Sequence, residues 1–318
     1  MNYNDYGWED RLGTKIEEVP TIVAPGYEEL LAKFPKMYRA PLGGSGRWYF
    51  LPGSHEFFSG VTGAISKSPF SDHSGLNKAR VNLAYQGRDA DQEWGERADY
   101  GSCFHLLVSL HERGEVPFHF GDYGEGSWRQ VMNDLIEAGG YQMFRTKWEA
   151  DLQNDMAAYF KWKKDYDVKV ITTEVMAFNR YLGIATPLDL VVEMNFNRKR
   201  IMADVNLKTG DKGFHSEYEL QCAIESWMFN QQYGSDFLSG AFCLRPKSRE
   251  RSPGEYEMSK NYFGVSEDDL DLLSKTVKVR KLNKPNGKVV RYTGGESNFN
   301  MEILTPEEWL TEFNQSLG

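Results

Sequence analysis

Three polar residues, Asp189, Asn206 and Lys208, stand in two otherwise apolar segments, TPLDLVVEM (186–194) and RIMADVNLKTG (200–210). Both segments alternate between apolar and polar residues, as half-buried strands do. Burying a charged group without a partner is costly, and a hard divalent cation that takes oxygen ligands would remove that cost for carboxylates. A salt bridge between Asp189 and Lys208 is the structural alternative. The pattern therefore indicates either a metal site or a buried ion pair.

An antiparallel hairpin would bring these residues together. The polar turn between the two segments is short, so residues whose numbers sum to 395 face each other in a simple register. Asp189 then faces Asn206, and Val191 faces Asp204. Because facing residues have Cβ atoms about 4.5–5.5 Å apart, we expect Asp189, Asn206 and Lys208 to converge in space.

The rest of the chain supplies the elements that must hold this hairpin. Helical periodicity comes first and strand periodicity follows, which favours an α/β fold with a mainly antiparallel mixed sheet flanked by helices. The predicted helices cover 76–113 with a break near Gly87, 141–164, 215–233, and a final helix in which Thr305 and Glu308 form a capping box. The predicted strands cover 168–178 and 237–246, and a second hairpin spans 277–292 around Asn286–Gly287.

Composition is that of an ordinary soluble globular protein. The chain has 318 residues, of which 40% are hydrophobic and 26% charged, and this length is ample for a core. No apolar run approaches the ~20 residues needed to cross a bilayer, and the polar residues 1–10 show no secretory signal. Three widely spaced cysteines argue against a disulfide scaffold, a Cys-based zinc site and a four-thiolate iron–sulfur cluster. We therefore expect a cytoplasmic protein with no membrane partner.

Two parts of the chain differ in character. Residues 1–52 are rich in Gly, Pro and Tyr and show little periodicity, so we expect an irregular N-terminal extension. Residues 53–318 are expected to form the main domain, which ends in the second hairpin and the final helix.

Charge is unevenly distributed along the chain. Residues 195–291 hold 17 Lys and Arg against 13 Asp and Glu, a net charge of +4. Because the whole chain has a net charge of -9, the other residues together have a net charge of -13. The acidic total speaks against non-specific coating of nucleic acid, but the basic clusters permit an anionic ligand on one side. A solvated surface is the alternative for any one cluster. One cluster comprises Arg245, Lys247, Arg249 and Arg251.

Several motifs, in order along the chain, carry a resemblance to a known family. The segment SGVTGAIS (59–66) precedes YGSCFHLLVSLHE (100–112), and PLDLVV, ADVNLKTG and YELQCAIESW follow. This ordered set resembles the PD-(D/E)XK nuclease superfamily, and within it the RecB-type nuclease domains and phage recombination exonucleases. The likeness covers residues 57–247 and implies a restriction-endonuclease-like core.

The resemblance implies a set of metal ligands. Asp189 matches the Asp that opens the second core strand, and Asn206 matches the acid of the acid-x-Lys motif on the third. These two positions would bind Mg²⁺ or Mn²⁺, and His105, Glu174 and the carbonyl of Leu207 would complete the shell. A His among apolar neighbours is usually a packed core residue, but residues 105, 109 and 112 form a polar stripe at i, i+4 and i+7.

The resemblance also implies roles for residues that hold the substrate. Lys208 would position or help to deprotonate a metal-bound water and stabilise the transition state. Gln221 would orient the DNA or a water. Basic side chains would hold the backbone phosphates, and the candidates are Arg245, Lys247, Arg249 and Arg251.

Two positions depart from the family pattern. Glu225 stands where the family usually carries a Tyr, four residues after Gln221. Asn206 stands where an acid is expected, and an amide lacks the charge that holds a divalent ion. Three explanations compete: an engineered Asp-to-Asn change, a naturally inactive relative, or replacement of the acid by Asp204. We favour the first because the swap is nearly isosteric, and we expect weak or absent cleavage until Asn206→Asp restores it with Mg²⁺.

The sequence therefore predicts a metal-dependent DNA nuclease, an exonuclease of recombination, repair or phage DNA processing. The expected partners are DNA and a recombination (annealing) protein, and related phage exonucleases lead us to expect a homo-oligomer, encoded by a phage and acting in a bacterial host. The first alternative is a catalytically inactive nucleic-acid-binding or assembly protein that retains the fold. The second is an enzyme of nucleotides or sugar phosphates with an unrelated acidic site.

Overall fold

The computed structural model gives an α/β protein with a mixed, mostly antiparallel sheet flanked by helices. This confirms the predicted fold class. The structure describes residues 17–18, 22–40, 47–66, 74–114, 129–130, 133, 145–210, 213–247, 254–282, 289–293 and 300–316.

Within the described residues, ten strands form the main sheet and two more form a separate hairpin. The neighbour order in the main sheet is β1-β3-β4-β5-β7-β8-β9-β10, and β6 pairs with β7 and with β2. The strands are β1 (Glu17–Glu18), β2 (Ile22–Val23), β3 (Tyr38–Arg39), β4 (Trp48–Phe50), β5 (Phe57–Gly60), β6 (Lys169–Asn179), β7 (Ile184–Phe196), β8 (Lys199–Leu207), β9 (Gly240–Pro246), β10 (Tyr256–Met258), β11 (Val289–Thr293) and β12 (Asn300–Leu304).

Helices cover both faces of the sheet. They are α1 (Glu29–Lys33), α2 (Val61–Ile65), α3 (Ser74–Tyr85), α4 (Ala90–Glu112), α5 (Arg145–Asp165), α6 (Ser216–Tyr233), α7 (Glu267–Leu282) and α8 (Pro306–Ser316). On one face, α4 and α5 bury Phe104 and Trp162 against the sheet. On the other face, α2, α6 and α7 bury Ile65, Ile224 and Leu273. No helix in this part of the chain is long and apolar enough to span a membrane.

The predicted hairpin 186–210 is present with the predicted register. Leu190 pairs with Val205 and Val191 with Asp204, and the same sum of numbers holds to the end of the ladder. The capping box of α8 is also present, since the Thr305 amide donates to Glu308 and the Glu308 amide to Thr305.

Two predictions about the ends of the chain are wrong. The hairpin predicted over 277–292 is replaced by helix α7, which runs to Leu282, and β11 pairs with β12 instead. The reason is that the apolar spacing of Leu273 and Val277 serves a helix packed on the sheet. The described part of residues 1–52 is not irregular either, because β1, β3 and β4 extend the main sheet.

The strands β7 and β8 separate at Asp189. The strand β6 occupies one edge of β7, so β5 and β8 share the other edge. The strand β5 pairs there with Ile184 and Ala185, whereas β8 pairs only from Leu190 onward. Among the described residues, no strand pairs with 186–189 along this edge.

Candidate metal centre

Three side chains that bind metals in proteins meet where β7 and β8 separate. His105 comes from α4, Glu174 from β6 and Asp189 from β7, and one ligand atom of each lies within 4.8 Å of the others. His105 Nδ1 is 3.3 Å from Asp189 Oδ1, and these side chains keep 28% and 12% of their exposure. Such a partly buried group can hold a metal ion.

On β6 and β7, the regular alternation of side chains between the two sheet faces is interrupted at Glu174 and Asp189. On β7, Leu188 packs on the α6 face and Leu190 on the α4 face, although residues two apart normally share a face. On β6, Val175 lies on the α6 face, whereas the Thr173 hydroxyl is 3.3 Å from Ser109 of α4. Both faces therefore change at the level where Glu174 and Asp189 stand.

The backbone of Glu174 is strained. Its φ of +52° lies in the left-handed region, which a Glu in a strand rarely adopts. Such a conformation costs on the order of 1–3 kcal/mol and persists only where the surroundings impose it, and such residues cluster at functional sites. Sequence periodicity cannot reveal this feature, because TTEV reads as a regular strand.

Close packing of α4 sets the position of His105. Gly101 lies one turn before His105, and a Cβ at Gly101 would stand 3.0 Å from the Thr209 hydroxyl. One turn after His105, the Ser109 hydroxyl contacts Thr173 of β6. The helix is therefore held near the sheet on both sides of His105.

The charges of the three ligands depend on one another. Burial and the nearby Asp189 raise the pKa of Glu174 to about 7, although His105, Arg47 and Arg113 oppose the rise. Burial disfavours the charged form of Asp189, but His105 overcomes this and the pKa of Asp189 is lowered. Burial likewise disfavours the imidazolium of His105, but Asp189 raises its pKa above the usual value. These shifts favour a positive charge on His105 beside the carboxylate of Asp189.

The predicted meeting of the Asp189, Asn206 and Lys208 side chains is not formed as expected, because Asp189 contacts His105 of α4, whereas Asn206 and Lys208 contact side chains of α6. Asp189 Oδ2 accepts a hydrogen bond of 2.8 Å from the backbone N–H of Leu207, between the other two residues. Asn206 and Lys208 contact each other, with Nζ 3.2 Å from Oδ1. The hairpin register predicted the proximity, but not that Asp189 would bind the backbone rather than either side chain.

Lys208 is held as a cation by a polar network on the α6 face. Its Nζ donates to Asn206 and to Gln221 Oε1, each at 3.2 Å. Burial opposes its charge, but acidic groups around it, Cys243, Asp189 and Glu225 among them, raise its pKa. Lys208 is therefore a charged donor, and its deprotonation is unfavourable.

Glu225 is the residue whose importance the sequence did not reveal. It is fully buried, and it accepts hydrogen bonds from Thr186, Gln221 and Asn206 at 2.8, 3.0 and 2.7 Å. Burial raises its pKa to about 7, with Lys208 opposing the rise. The absence of the Tyr that the family pattern expects was the one available signal.

Asp204 does not join the metal centre. It is fully buried, 3.4 Å from the Asn206 amide, and burial and Glu225 raise its pKa well above the usual value. The ligand group contains Glu174 as its second carboxylate instead. The alternative in which Asp204 replaces the acid at 206 therefore finds no support in the geometry.

The geometry gives Arg245 a structural role and no support as a phosphate contact. Its side chain is 3% exposed, forms an ion pair with Glu257 and donates to the Gly210 carbonyl at 3.2 Å. A guanidinium in this position supports the backbone after β8. Lys247 follows β9 and its amide donates to the Glu255 carbonyl at 2.7 Å, which assigns no role to its side chain. Arg249 and Arg251 lie outside the described residues.

No protein-family model matches the chain, and no curated protein sequence matches it.

Proposed function

We propose that this chain is a divalent-metal-dependent nuclease that cleaves phosphodiester bonds in DNA. The observation that carries the proposal is the meeting of His105, Glu174 and Asp189 beside the Leu207–Lys208 segment. Metal ligands and a nearby charged donor are two parts that phosphodiester cleavage requires.

The donor set fits a small divalent cation. Two carboxylates supply the oxygen ligands that Mg²⁺ and Mn²⁺ prefer, and one imidazole favours Mn²⁺. Ligand atoms within 4.8 Å of one another can share one ion, because metal–ligand bonds are roughly 2.0–2.6 Å long. The hydrogen bond from Leu207 fixes Asp189 and leaves its other oxygen for the ion.

Each residue around the ion would have a separate role in the reaction. When bound, such an ion lowers the pKa of a coordinated water and stabilises charge on a phosphate. Lys208 donates to the phosphate oxygen on which negative charge develops, and Gln221 and Asn206 hold its ammonium in place. Because Lys208 stays protonated, it positions a water rather than deprotonating it.

We assign the phosphate contacts to arginines on the Glu174 side of the centre. Arg47 and Arg113 lie near enough to Glu174 to lower its pKa. Arg113 is the C-cap of α4 and also donates to Ser109 at 3.3 Å. Arg47 and Arg113 are better candidates for phosphate contacts than Arg245, because their charges lie beside the metal ligand Glu174.

A substrate panel tests the proposal. We expect slow cleavage of linear double-stranded DNA with Mn²⁺ or Mg²⁺, none with EDTA, and none of small phosphate esters. Circular DNA separates the two modes, because an exonuclease leaves it intact and an endonuclease opens it. Absence of cleavage on every DNA form with both metals, at enzyme in excess over ends, would favour the inactive binding protein. Cleavage of the small esters alone would favour the second alternative.

His105→Ala tests the imidazole ligand. We expect the affinity for Mn²⁺ to fall at least about tenfold, since even supporting residues of metal sites are worth 10–100-fold. Preference should shift towards Mg²⁺, and a higher Mn²⁺ concentration should restore cleavage by mass action. Calorimetric titration with each metal measures the change. His111→Ala is the matched control, because His111 packs on Phe160 and lies outside the ligand group. Equal effects of the two variants would contradict direct ligation by His105.

A further inference from the structure

The surroundings of Asn206 match an amide. Its Nδ2 donates to Glu225 at 2.7 Å and to Asp204 at 3.4 Å, and its Oδ1 accepts from Lys208 at 3.2 Å and from Gln221 at 3.1 Å. An Asn side chain has two N–H donors and two acceptor lone pairs. All of them are used within the protein.

A carboxylate at 206 would not fit these partners. Above the pKa of Glu225, where both groups are ionised, it would place two carboxylates 2.7 Å apart, because Glu225 accepts the Asn206 N–H at that distance. It would also lose the donor that faces Asp204. A simple Asn206→Asp reversal therefore carries a cost that the sequence did not reveal.

The hydrogen-bond partners of Glu225 match a carboxylate. Each of its two oxygens is an acceptor, one from Thr186 and Gln221 and the other from Asn206. A Gln in its place would turn an N–H₂ group towards one of these donors. In this pair the amide on β8 is therefore the hydrogen-bond donor and the acid on α6 is the acceptor.

We infer that Asn206 and Glu225 are a matched amide–acid pair, in which β8 carries the amide and α6 carries the carboxylate. Glu225 orients Asn206 and Gln221, and these two residues fix the ammonium of Lys208. Glu225 is thus a positioning residue for Lys208, and this role in catalysis rests on the nuclease proposed above. The pairing favours a natural amide at 206 over an introduced one, because a change at 206 alone leaves α6 unaltered.

The test exchanges the two side chains. We compare Asn206→Asp, Glu225→Gln and the double variant by thermal unfolding at pH 8 without metal. Each single variant should lower the unfolding midpoint by several degrees, because each leaves a buried mismatch. The double variant should recover more than half of the summed loss, because the amide introduced on α6 then donates to the carboxylate introduced on β8. Asn206→Asp combined with Glu308→Gln is the additive control, since Glu308 lies in the capping box of α8.

Cleavage of linear DNA with Mn²⁺ is the second measurement. Glu225→Gln should lose at least tenfold in rate, and the exchange should restore at least the native rate. Additive midpoints, or a double variant that does not fold, would overturn the inference whatever the rates. A restored midpoint together with no cleavage by any variant would support the matched pair and contradict the nuclease proposal. A restored midpoint with the rate of Glu225→Gln unchanged would overturn the positioning role.

Discussion

Asp189→Asn should abolish metal binding at the centre. The variant removes the carboxylate whose pKa is lowered and whose Oδ1 lies 3.3 Å from His105. Losing a direct ligand should cost more than the 10–100-fold that supporting residues cost, so we expect Mn²⁺ affinity to fall by more than about 100-fold. Cleavage of DNA should be lost with it. Calorimetry and a cleavage assay across Mn²⁺ concentrations measure the two effects.

Folding of this variant should be retained. The Asn oxygen can still accept the hydrogen bond from the Leu207 amide. Asp204→Asn is the matched control, since Asp204 is a buried acid on the neighbouring strand and lies outside the ligand group. We expect it to leave Mn²⁺ affinity unchanged. Loss of binding in the Asp204 variant, with binding intact in the Asp189 variant, would move the metal centre to the α6 face.

Lys208→Met should separate catalysis from metal binding. The substitution removes the ammonium held by Asn206 and Gln221 and keeps an apolar side chain of similar length. Removing a donor that stabilises developing charge typically costs about 10²–10³-fold in rate. Mn²⁺ affinity should stay the same or rise, because a positive charge near Asp189 disappears. Rates at saturating Mn²⁺, together with calorimetry, measure the difference.

Lys163→Met provides the comparison for this variant. Lys163 is also a partly buried lysine paired with a carboxylate, Glu112, but it lies on α5 away from the ligand group. Its rate should equal the native rate. Weaker metal binding in Lys208→Met, or equal rate losses in both lysine variants, would argue that Lys208 supports the fold and not the reaction.

The two variants also separate the proposed nuclease from an inactive binding protein. In the nuclease, Asp189→Asn loses metal and rate together, whereas Lys208→Met loses rate alone. A binding protein that retains the fold would show metal binding that depends on Asp189 and no cleavage to lose. DNA affinity would then be its measurable property, with Arg47 and Arg113 as the residues to change.

The sequence by itself determined the elements and the central register. Alternating apolar residues define β6, β7 and β8, and the short turn between β7 and β8 fixes the pairing that sums to 395. The strand pattern and the hairpin register depend on residues close together in sequence, so both can be predicted before the fold is known. The same local reasoning correctly predicts the capping box of Thr305 and Glu308.

Only the tertiary structure decided which side chains share the centre. The meeting of His105 and Glu174 with Asp189 depends on how α4 packs on β6 and on where the faces of two strands change. Neither feature leaves a periodic signal, because a positive φ at Glu174 interrupts an otherwise regular strand. Burial likewise removed Arg245 from the predicted phosphate contacts, since its charge is paired within the fold.

The roles of Asn206 and Glu225 show the same division most clearly. The sequence shows an amide where an acid was expected and an acid where a Tyr was expected, at positions 19 residues apart. Their contact of 2.7 Å arises only when α6 folds back over β8. Hydrogen-bond partners in a core are set by packing between segments that are distant in sequence. The order of residues alone does not give the spatial distance between such segments.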